Sequence, residues 1–261
     1  MSEEAFLDAL RVELLRHAEL RPERRDHALF QTSTIDALLS GHFDGDVTVD
    51  ELTARGDLGL GTLNGCDGEL IVLDGRAWQA RLDGSLAAVP GAAMTPFAVV
   101  VPFACDHRME LEGPLDFDAL AERLDSADRS GAAGAAVRVE GRFVRLKVRS
   151  VPRQQPPYPP LADVIAQQQV TELEQVEGTL MGFRFPGPLD GLEVRGWHLH
   201  FATADRASGG HVLACDLERG IAELDHSSRL RVELPPSVQA PGPGSDTHDE
   251  LLDGLEREPD R

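Results

Sequence analysis

Lysine, cysteine and positive charge are scarce in this sequence of 261 residues. Lys147 is the single lysine, and 25 basic side chains oppose 45 acidic ones, which gives a formal net charge of −20. Phosphate backbones and anionic lipids repel such a chain, so nucleic-acid and membrane-surface partners are excluded. No apolar run is long enough to span a bilayer, and the first residues carry acids where a signal peptide carries positive charge. We therefore expect the chain to remain in the cytoplasm.

The three cysteines are too few and too far apart in the sequence to stabilise the fold through disulfide bonds. Cys66, Cys105 and Cys215 form no CxxC pair, which argues against a disulfide scaffold and against a zinc site made of cysteines. We expect buried, reduced thiols. The content of 41% hydrophobic residues indicates instead a globular fold that is long enough to bury a substantial core.

Predicted strands outnumber predicted helices. The spacing of apolar residues predicts helices over residues 4 to about 20, 34–39 and 116–125, and a fourth helix after Pro160. Apolar runs elsewhere predict strands, with hairpins at Asp74-Gly75 and at Glu140-Gly141. Five prolines within 151–160 predict an extended, stiff connector between two strand-rich halves.

The richest chemical signal is the segment GWHLHFATADRASGGH, residues 196–211. His198 and His200 are two residues apart in a strand-like run, so both imidazoles point to the same face. Turn-forming residues follow, and then His211. If the chain folds back as an antiparallel hairpin, His211 can lie opposite His200, about 5 Å away at Cβ. The three residues, called the histidine triad below, would then form a catalytic zinc site with a fourth position open.

Other interpretations of these motifs are weaker. A pair of histidines alone is typical of a polar strand face. The HxHxDH motif of dinuclear hydrolases fails because Thr203 replaces the aspartate, whereas a cupin-like metalloenzyme remains open because Asp205 half meets its pattern. Gly59-Leu60-Gly61 does not indicate a dinucleotide site, since the third glycine, Gly65, comes one position late and a strand follows.

Three blocks of the chain closely resemble the acetolactate decarboxylases. They read TSTIDALLSGHFDGDVTVDELTARGDLGLGTLNGCDGELIVLDG, VRSVPRQQPPYPPL and GFRFPGPLDGLEVRGWHLHFATADRASGGH. The resemblance begins near Leu29 and covers nearly all of the chain after the N-terminal segment. It implies a zinc-dependent carboxy-lyase that converts 2-acetolactate to (R)-acetoin and CO₂, as in acetoin and butanediol biosynthesis, and it implies a homodimer.

The resemblance also implies site residues. The family's zinc ligands fall on the histidine triad, a family glutamate on Glu69 and a family arginine on Arg149. A threonine that lines the family's site falls on Thr62. A C-terminal family glutamate falls on Glu256, with Glu258 as a neighbouring candidate.

The chemistry of the reaction suits these residue types. Loss of CO₂ leaves an electron pair that must move into the ketone, and a metal ion can stabilise that charge. Arg149 is expected to hold the substrate carboxylate through a two-pronged contact. Glu69 and Glu256 are expected to move the proton that ends on carbon.

Two further alternatives remain open from the sequence. Lys147, on the predicted strand face of Arg145 and Arg149, could form a Schiff base, because an iminium also accepts the electron pair. The chain could also be a non-catalytic zinc- or ligand-binding module on the same scaffold.

The expected fold class is α/β (α+β) with two strand-rich domains, a mixed sheet in the N-terminal half and an open, barrel-like sheet in the C-terminal half. The expected domains are a helical extension over 1–28, an α/β domain over 29–155, and a metal-binding domain with a C-terminal tail over 156–261.

Overall fold

The computed structural model describes residues 11–16, 27–127, 132, 134–185, 191–192, 196–236 and 238. The strands in chain order are β1 (Arg11–Arg16), β2 (Leu29–Thr32), β3 (Val47–Thr48), β4 (Leu58–Thr62), β5 (Glu69–Leu73), β6 (Arg76–Ala80), β7 (Leu86–Ala88), β8 (Met94–Thr95), β9 (Phe97–Val101), β10 (His107–Asp116), β11 (Gly134–Ser150), β12 (Gln169–Phe185), β13 (Gly196–Thr203), β14 (Gly209–Ser227) and β15 (Arg229–Leu234). The described helices are α1 (Ile35–Leu39), α2 (Val49–Arg55), α3 (Phe117–Asp125) and α4 (Leu161–Ile165).

Two large sheets organise the chain, and the expected strand-rich α+β class is confirmed. The eight-stranded sheet runs β1-β15-β2-β9-β4-β5-β6-β7. It is mixed, because β1, β15 and β2 are parallel neighbours and the remaining pairs are antiparallel. The five-stranded sheet runs β10-β14-β11-β12-β13, and β13 also pairs with β14. That extra pairing closes four strands into a small ring, which agrees with a barrel-like sheet.

Each sheet takes strands from both sides of residue 155. β10 and β11 precede that position and belong to the five-stranded sheet, whereas β15 follows it and belongs to the eight-stranded sheet. The division into domains at 155 therefore stays a prediction. Buried side chains of both sheets form one shared core, to which Ile71 and Phe97 contribute from one sheet and Met181 and Phe183 from the other. The candidate site lies beside this core.

The predicted N-terminal helix over residues 4 to about 20 is wrong at Arg11–Arg16, which form β1. In the sequence RVELLR, Val12 and Leu14 alternate with Glu13, a period of two that suits a strand. The edge of β15 supplies a parallel partner with an unbroken register of six residues. The remaining residues of the predicted helix lie outside the described residues. So does a short helix that the sequence LLDGLERE, residues 251–258, predicts near the C-terminus.

The predicted hairpin at Glu140-Gly141 is also wrong, since β11 continues through it as one strand of 17 residues. Gly141 pairs with Gly178 on one side and with Gly220 on the other. A Cβ at Gly141 would lie 2.9 Å from the Arg219 carbonyl oxygen. The glycine thus permits close packing of strands and does not mark a turn.

Several local predictions are confirmed. The Asp74-Gly75 turn joins β5 and β6, with both residues at positive φ. Thr34 caps α1, where its hydroxyl accepts from the Ala37 amide, and Asp116 caps α3 in the same way. No helix within the described part of the chain is both long and apolar enough to cross a membrane.

Candidate metal centre

The predicted hairpin that presents the histidines is confirmed. β13 and β14 are antiparallel, and His200 stands directly opposite His211 in the register. The connecting turn is held by Thr203, whose amide donates to the Ser208 carbonyl at 2.9 Å. Within the turn, Asp205 accepts from the Thr203 hydroxyl at 2.7 Å and from the Ala207 amide at 3.0 Å. Asp205 is therefore a turn-stabilising residue, and it does not join the histidines.

The three imidazoles converge on one point. One ring nitrogen from each member of the histidine triad lies within 4.8 Å of the others. The ring centroids are 4.9 to 5.4 Å apart. In the part of the chain that the structure describes, this is the one group of three or more histidine, cysteine or carboxylate side chains so arranged. Spacing of this kind suits a single ion that takes one nitrogen from each ring.

The protonation state of two of these rings also suits a metal ion. Burial, with a contribution from the positive charge of Arg149, lowers the pKa of His198 to about 3, and burial lowers the pKa of His200 well below its usual value. Neutral imidazole is the form that binds metals. The Leu70 carbonyl oxygen can only accept, so it fixes the proton of His200 on Nδ1, at 3.1 Å, and leaves Nε2 for an ion.

Unpartnered nitrogens give a second test of fit. His198 Nδ1 and His200 Nε2 are buried and have no hydrogen-bond partner. A buried polar atom without a partner costs about 1 to 3 kcal/mol, so such atoms call for an explanation. Coordination of an ion would give His200 Nε2 a partner, and that atom lies 3.7 Å from Glu69 Oε2. The donor set therefore fits a divalent transition metal.

The eight-stranded sheet contributes Thr62 and Glu69 to the same place. The two residues are directly paired across β4 and β5. Glu69 is buried, with 9% of its surface exposed. The Thr62 hydroxyl donates to the carbonyl oxygen of Gly68 at 2.6 Å, so it anchors the turn that leads into Glu69. Gly68 has φ +71, and a Cβ there would overlap the Ala80 carbonyl oxygen, so this turn requires glycine.

The five-stranded sheet contributes Arg149. It is the register partner of His211 across β11 and β14, and only 6% of its surface is exposed. Its Nη1 donates to the side-chain oxygen of Gln168 at 3.4 Å. A guanidinium in such a place keeps its charge and offers several donors to an anion.

One pocket collects most of the predicted residues. Its polar lining includes Thr62, Glu69, Arg149, His198 and His211. Most of the remaining lining is apolar and comes mainly from α1, β9 and α4, with the side chains Ile35, Leu38, Phe97, Val151, Leu161 and Ile165. Sequence reasoning did not single out these apolar residues. Only the amphipathic helical spacing of α1 and α4 hinted that one face of each helix is buried.

The other candidate residues lie elsewhere. Glu256 and Glu258 fall outside the described residues. Lys147 is not among the described residues that line the pocket, and its ammonium group lies 3.6 Å from the Glu172 carboxylate. The expectation of buried thiols holds for two cysteines and is wrong for Cys105, which is exposed.

Comparison with known proteins points to one family. Residues 29–240 match the family described as Alpha-acetolactate decarboxylase. The alpha-acetolactate decarboxylase of Methanosarcina mazei is 46% identical over 209 residues, which is 80% of this chain and 73% of that protein. The enzyme of the same name from Klebsiella aerogenes is 40% identical over 80% of this chain and 81% of its own length.

A solved structure agrees with the sequence comparison. The crystal structure of alpha-acetolactate decarboxylase from Bacillus subtilis strain 168 superposes with a TM-score of 0.83 at 30% identity. The match covers 88% of this chain and 100% of that one.

Proposed function

Because the chain belongs to the alpha-acetolactate decarboxylase family and is a carboxy-lyase that decarboxylates acetolactate, we propose a specific reaction for it. The chain forms (R)-acetoin and CO₂ at a zinc ion that the histidine triad holds. The proposal assigns the carboxylate to Arg149 and proton transfer to Glu69. The observation that carries it is the convergence of three imidazoles, a buried arginine and a buried glutamate at one pocket.

The three histidines are proposed to hold the ion through one nitrogen each. When bound, a divalent ion supplies a Lewis acid that stabilises negative charge on substrate oxygen atoms. Because His₃ donor sets also accept other divalent ions, zinc is the ion that we propose and metal analysis is the direct check.

Arg149 is proposed to bind the carboxylate that is lost. Its guanidinium can donate two parallel hydrogen bonds to one carboxylate, which fixes the orientation of the C–C bond that breaks. When that bond breaks, its electron pair moves towards the neighbouring ketone and CO₂ leaves. Burial strengthens the contact, because few water molecules compete for the guanidinium.

Glu69 is proposed to deliver the proton that completes the reaction on carbon. It reaches the histidine triad from the opposite sheet, with Oε2 3.7 Å from His200 Nε2. A proton donor fixed on one side of the substrate yields a single enantiomer, and the R configuration is the one that the family resemblance implies. Glu256, from the family resemblance, is proposed as a second carboxylate in the same transfer.

The substitution Glu69→Gln tests this assignment. We expect the variant to bind one equivalent of zinc, as the wild type does. Its rate of acetoin formation should fall by about two orders of magnitude or more, which is the usual contribution of a general acid or base. Glu110→Gln, at an exposed position on β10, is the control and should retain full activity. A Glu69→Gln enzyme that forms acetoin at the wild-type rate would contradict the proposed role.

The same assay separates the enzyme from a non-catalytic binding module. Racemic 2-acetolactate is supplied, and acetoin is resolved on a chiral column. One equivalent of bound zinc with no acetoin formed would favour the binding module. The homodimer is likewise a proposal from the resemblance, and light scattering of the purified protein tests it.

A further inference from the structure

Three glutamines in a row follow helix α4, and they occupy different environments. The side chains are chemically identical in Gln167, Gln168 and Gln169. Gln167 and Gln169 are exposed, whereas Gln168 is partly buried. Gln167 donates to the Asp163 carbonyl oxygen at 3.0 Å. Gln168 instead turns its side-chain oxygen to Arg149 Nη1, at 3.4 Å.

The backbone of Gln168 is fixed by the helix that lines the pocket. Its amide donates to the Ile165 carbonyl at 2.9 Å, and the preceding amide donates to Val164 at 3.0 Å. Ile165 and Leu161 of the same helix belong to the apolar side of the pocket. Arg149 lines the same pocket. The Gln168 side chain therefore connects the pocket helix to the pocket cation.

The choice of an amide at this position has a chemical consequence. The oxygen of glutamine accepts a hydrogen bond but carries no charge, so it orients the guanidinium without neutralising it. A carboxylate at the same place would form an ion pair with Arg149 and compete with a carboxylate ligand. An amide thus holds the group in place and leaves its charge to the substrate.

We propose that Gln168 is a positioning residue that holds Arg149 in the orientation that binds the substrate carboxylate. The inference rests on the proposed function, because it assumes that Arg149 contacts this carboxylate. It adds a residue that does not itself touch the reacting atoms. Because Gln168 directly follows helix α4, a shift of this helix would also change how strongly Arg149 binds the carboxylate.

Two inhibitors of different charge test the proposal in the zinc-loaded enzyme. The first, 2-hydroxy-2-methylpropanoate, carries a hydroxyl group and a carboxylate. The second, acetoin, has a hydroxyl group and a ketone but no carboxylate. In Gln168→Met, we expect the inhibition constant of the carboxylate to rise about threefold to tenfold, the effect of one hydrogen bond, with that of acetoin unchanged. The KM for acetolactate should rise by a similar factor, with kcat altered less.

The two neighbouring glutamines supply matched controls. Gln167→Met and Gln169→Met make the same chemical change one residue away and should leave both inhibition constants at their wild-type values. Gln168→Glu is the complementary variant, and it should raise the KM more than Gln168→Met does while the melting temperature does not fall. That combination would not arise from a merely structural role.

Arg149→Met distinguishes failure of this inference from failure of the proposed function. If Arg149→Met weakens the carboxylate selectively and Gln168→Met does not, the positioning role is wrong and the role of Arg149 stands. If Arg149→Met weakens both inhibitors equally or neither, the proposed carboxylate contact is itself wrong. Equal weakening of both inhibitors in Gln168→Met would also overturn the inference, because it would indicate general damage to the pocket.

Discussion

Replacing Thr62 with valine separates two roles for its hydroxyl group. The resemblance to the family predicts that Thr62 lines the substrate site, and the residue does line the candidate pocket. Its hydroxyl, however, donates its single proton to the Gly68 carbonyl oxygen at 2.6 Å. Valine keeps the shape of the side chain and removes the hydroxyl, with its hydrogen bond to Gly68 and its contact with the Cys66 thiol. We therefore expect a loss of stability, with a weaker effect on substrate affinity.

The size of the loss follows from burial. The Thr62–Gly68 hydrogen bond is buried, so valine leaves a carbonyl oxygen without its donor, at a cost of about 1 to 3 kcal/mol. The added methyl group offsets part of this cost, and we expect the free energy of unfolding to fall by about 1 to 2 kcal/mol. For a chain of this size, the melting temperature should fall by about 2 to 8 °C.

Thermal and urea unfolding of the zinc-loaded protein measure the change, with acetolactate kinetics on the same samples. Thr62→Ser should keep the hydrogen bond and most of the stability. Thr53→Val removes a comparable hydroxyl, which donates to the Val49 carbonyl at 2.9 Å on a partly exposed helix face, and should cost less. Unchanged stability in Thr62→Val, together with a large rise in KM, would refute the structural role and assign the hydroxyl to the substrate.

Three other perturbations have defined outcomes. Gly182→Ala places a Cβ on the His198 carbonyl oxygen, so β12 and β13 must separate, and metal analysis should show substoichiometric zinc. Gly75→Ala, whose Cβ would contact only Asp57 at 3.9 Å, is strained by its φ of +71 and should lower stability, but it should still bind a full equivalent. Burial raises the pKa of Cys66 and Cys215 to about 12. A thiol reagent at pH 8 should therefore modify only the exposed Cys105 in the folded chain, and all three cysteines after denaturation. Rapid modification of two or three cysteines in the folded chain would contradict the fold. Zinc at about 100 times its dissociation constant should raise the free energy of unfolding by about 2.7 kcal/mol, and the same addition should have no effect once a histidine of the triad is replaced by alanine.

Local chemistry was the part of the structure that the sequence predicted well. The Asp74-Gly75 turn, the capped helices α1 and α3 and the β13–β14 hairpin all follow from residues within a few positions of one another. The convergence of the histidine triad was predictable for the same reason. A strand period of two and one tight hairpin are enough to bring the three rings together.

Long-range packing accounts for the errors. Gly141 has the sequence signature of a turn, but it pairs with glycines of two other strands that are distant in the sequence. The apolar spacing near the N-terminus is typical of a helix, but Arg11–Arg16 form a strand because they pair with β15. Nothing near Gln168 in the sequence singles it out from its neighbours, because its contact with Arg149 depends on how α4 meets β11.

The net charge of −20 disfavours the approach of an anionic substrate, and the side chains that line the pocket do not offset this repulsion on their own. Among the described residues that line the pocket, the charged ones are Arg149 and Glu69, one of each sign. Burial keeps His198 and His200 neutral. An anionic substrate approaching an acidic protein would then find little net attraction at short range. A divalent ion on the histidine triad would change that balance by two charges within the range in which salt screens weakly. The same burial that keeps the imidazoles neutral thus suits them to bind the cation, and the cation, in turn, would make the pocket attractive to a carboxylate.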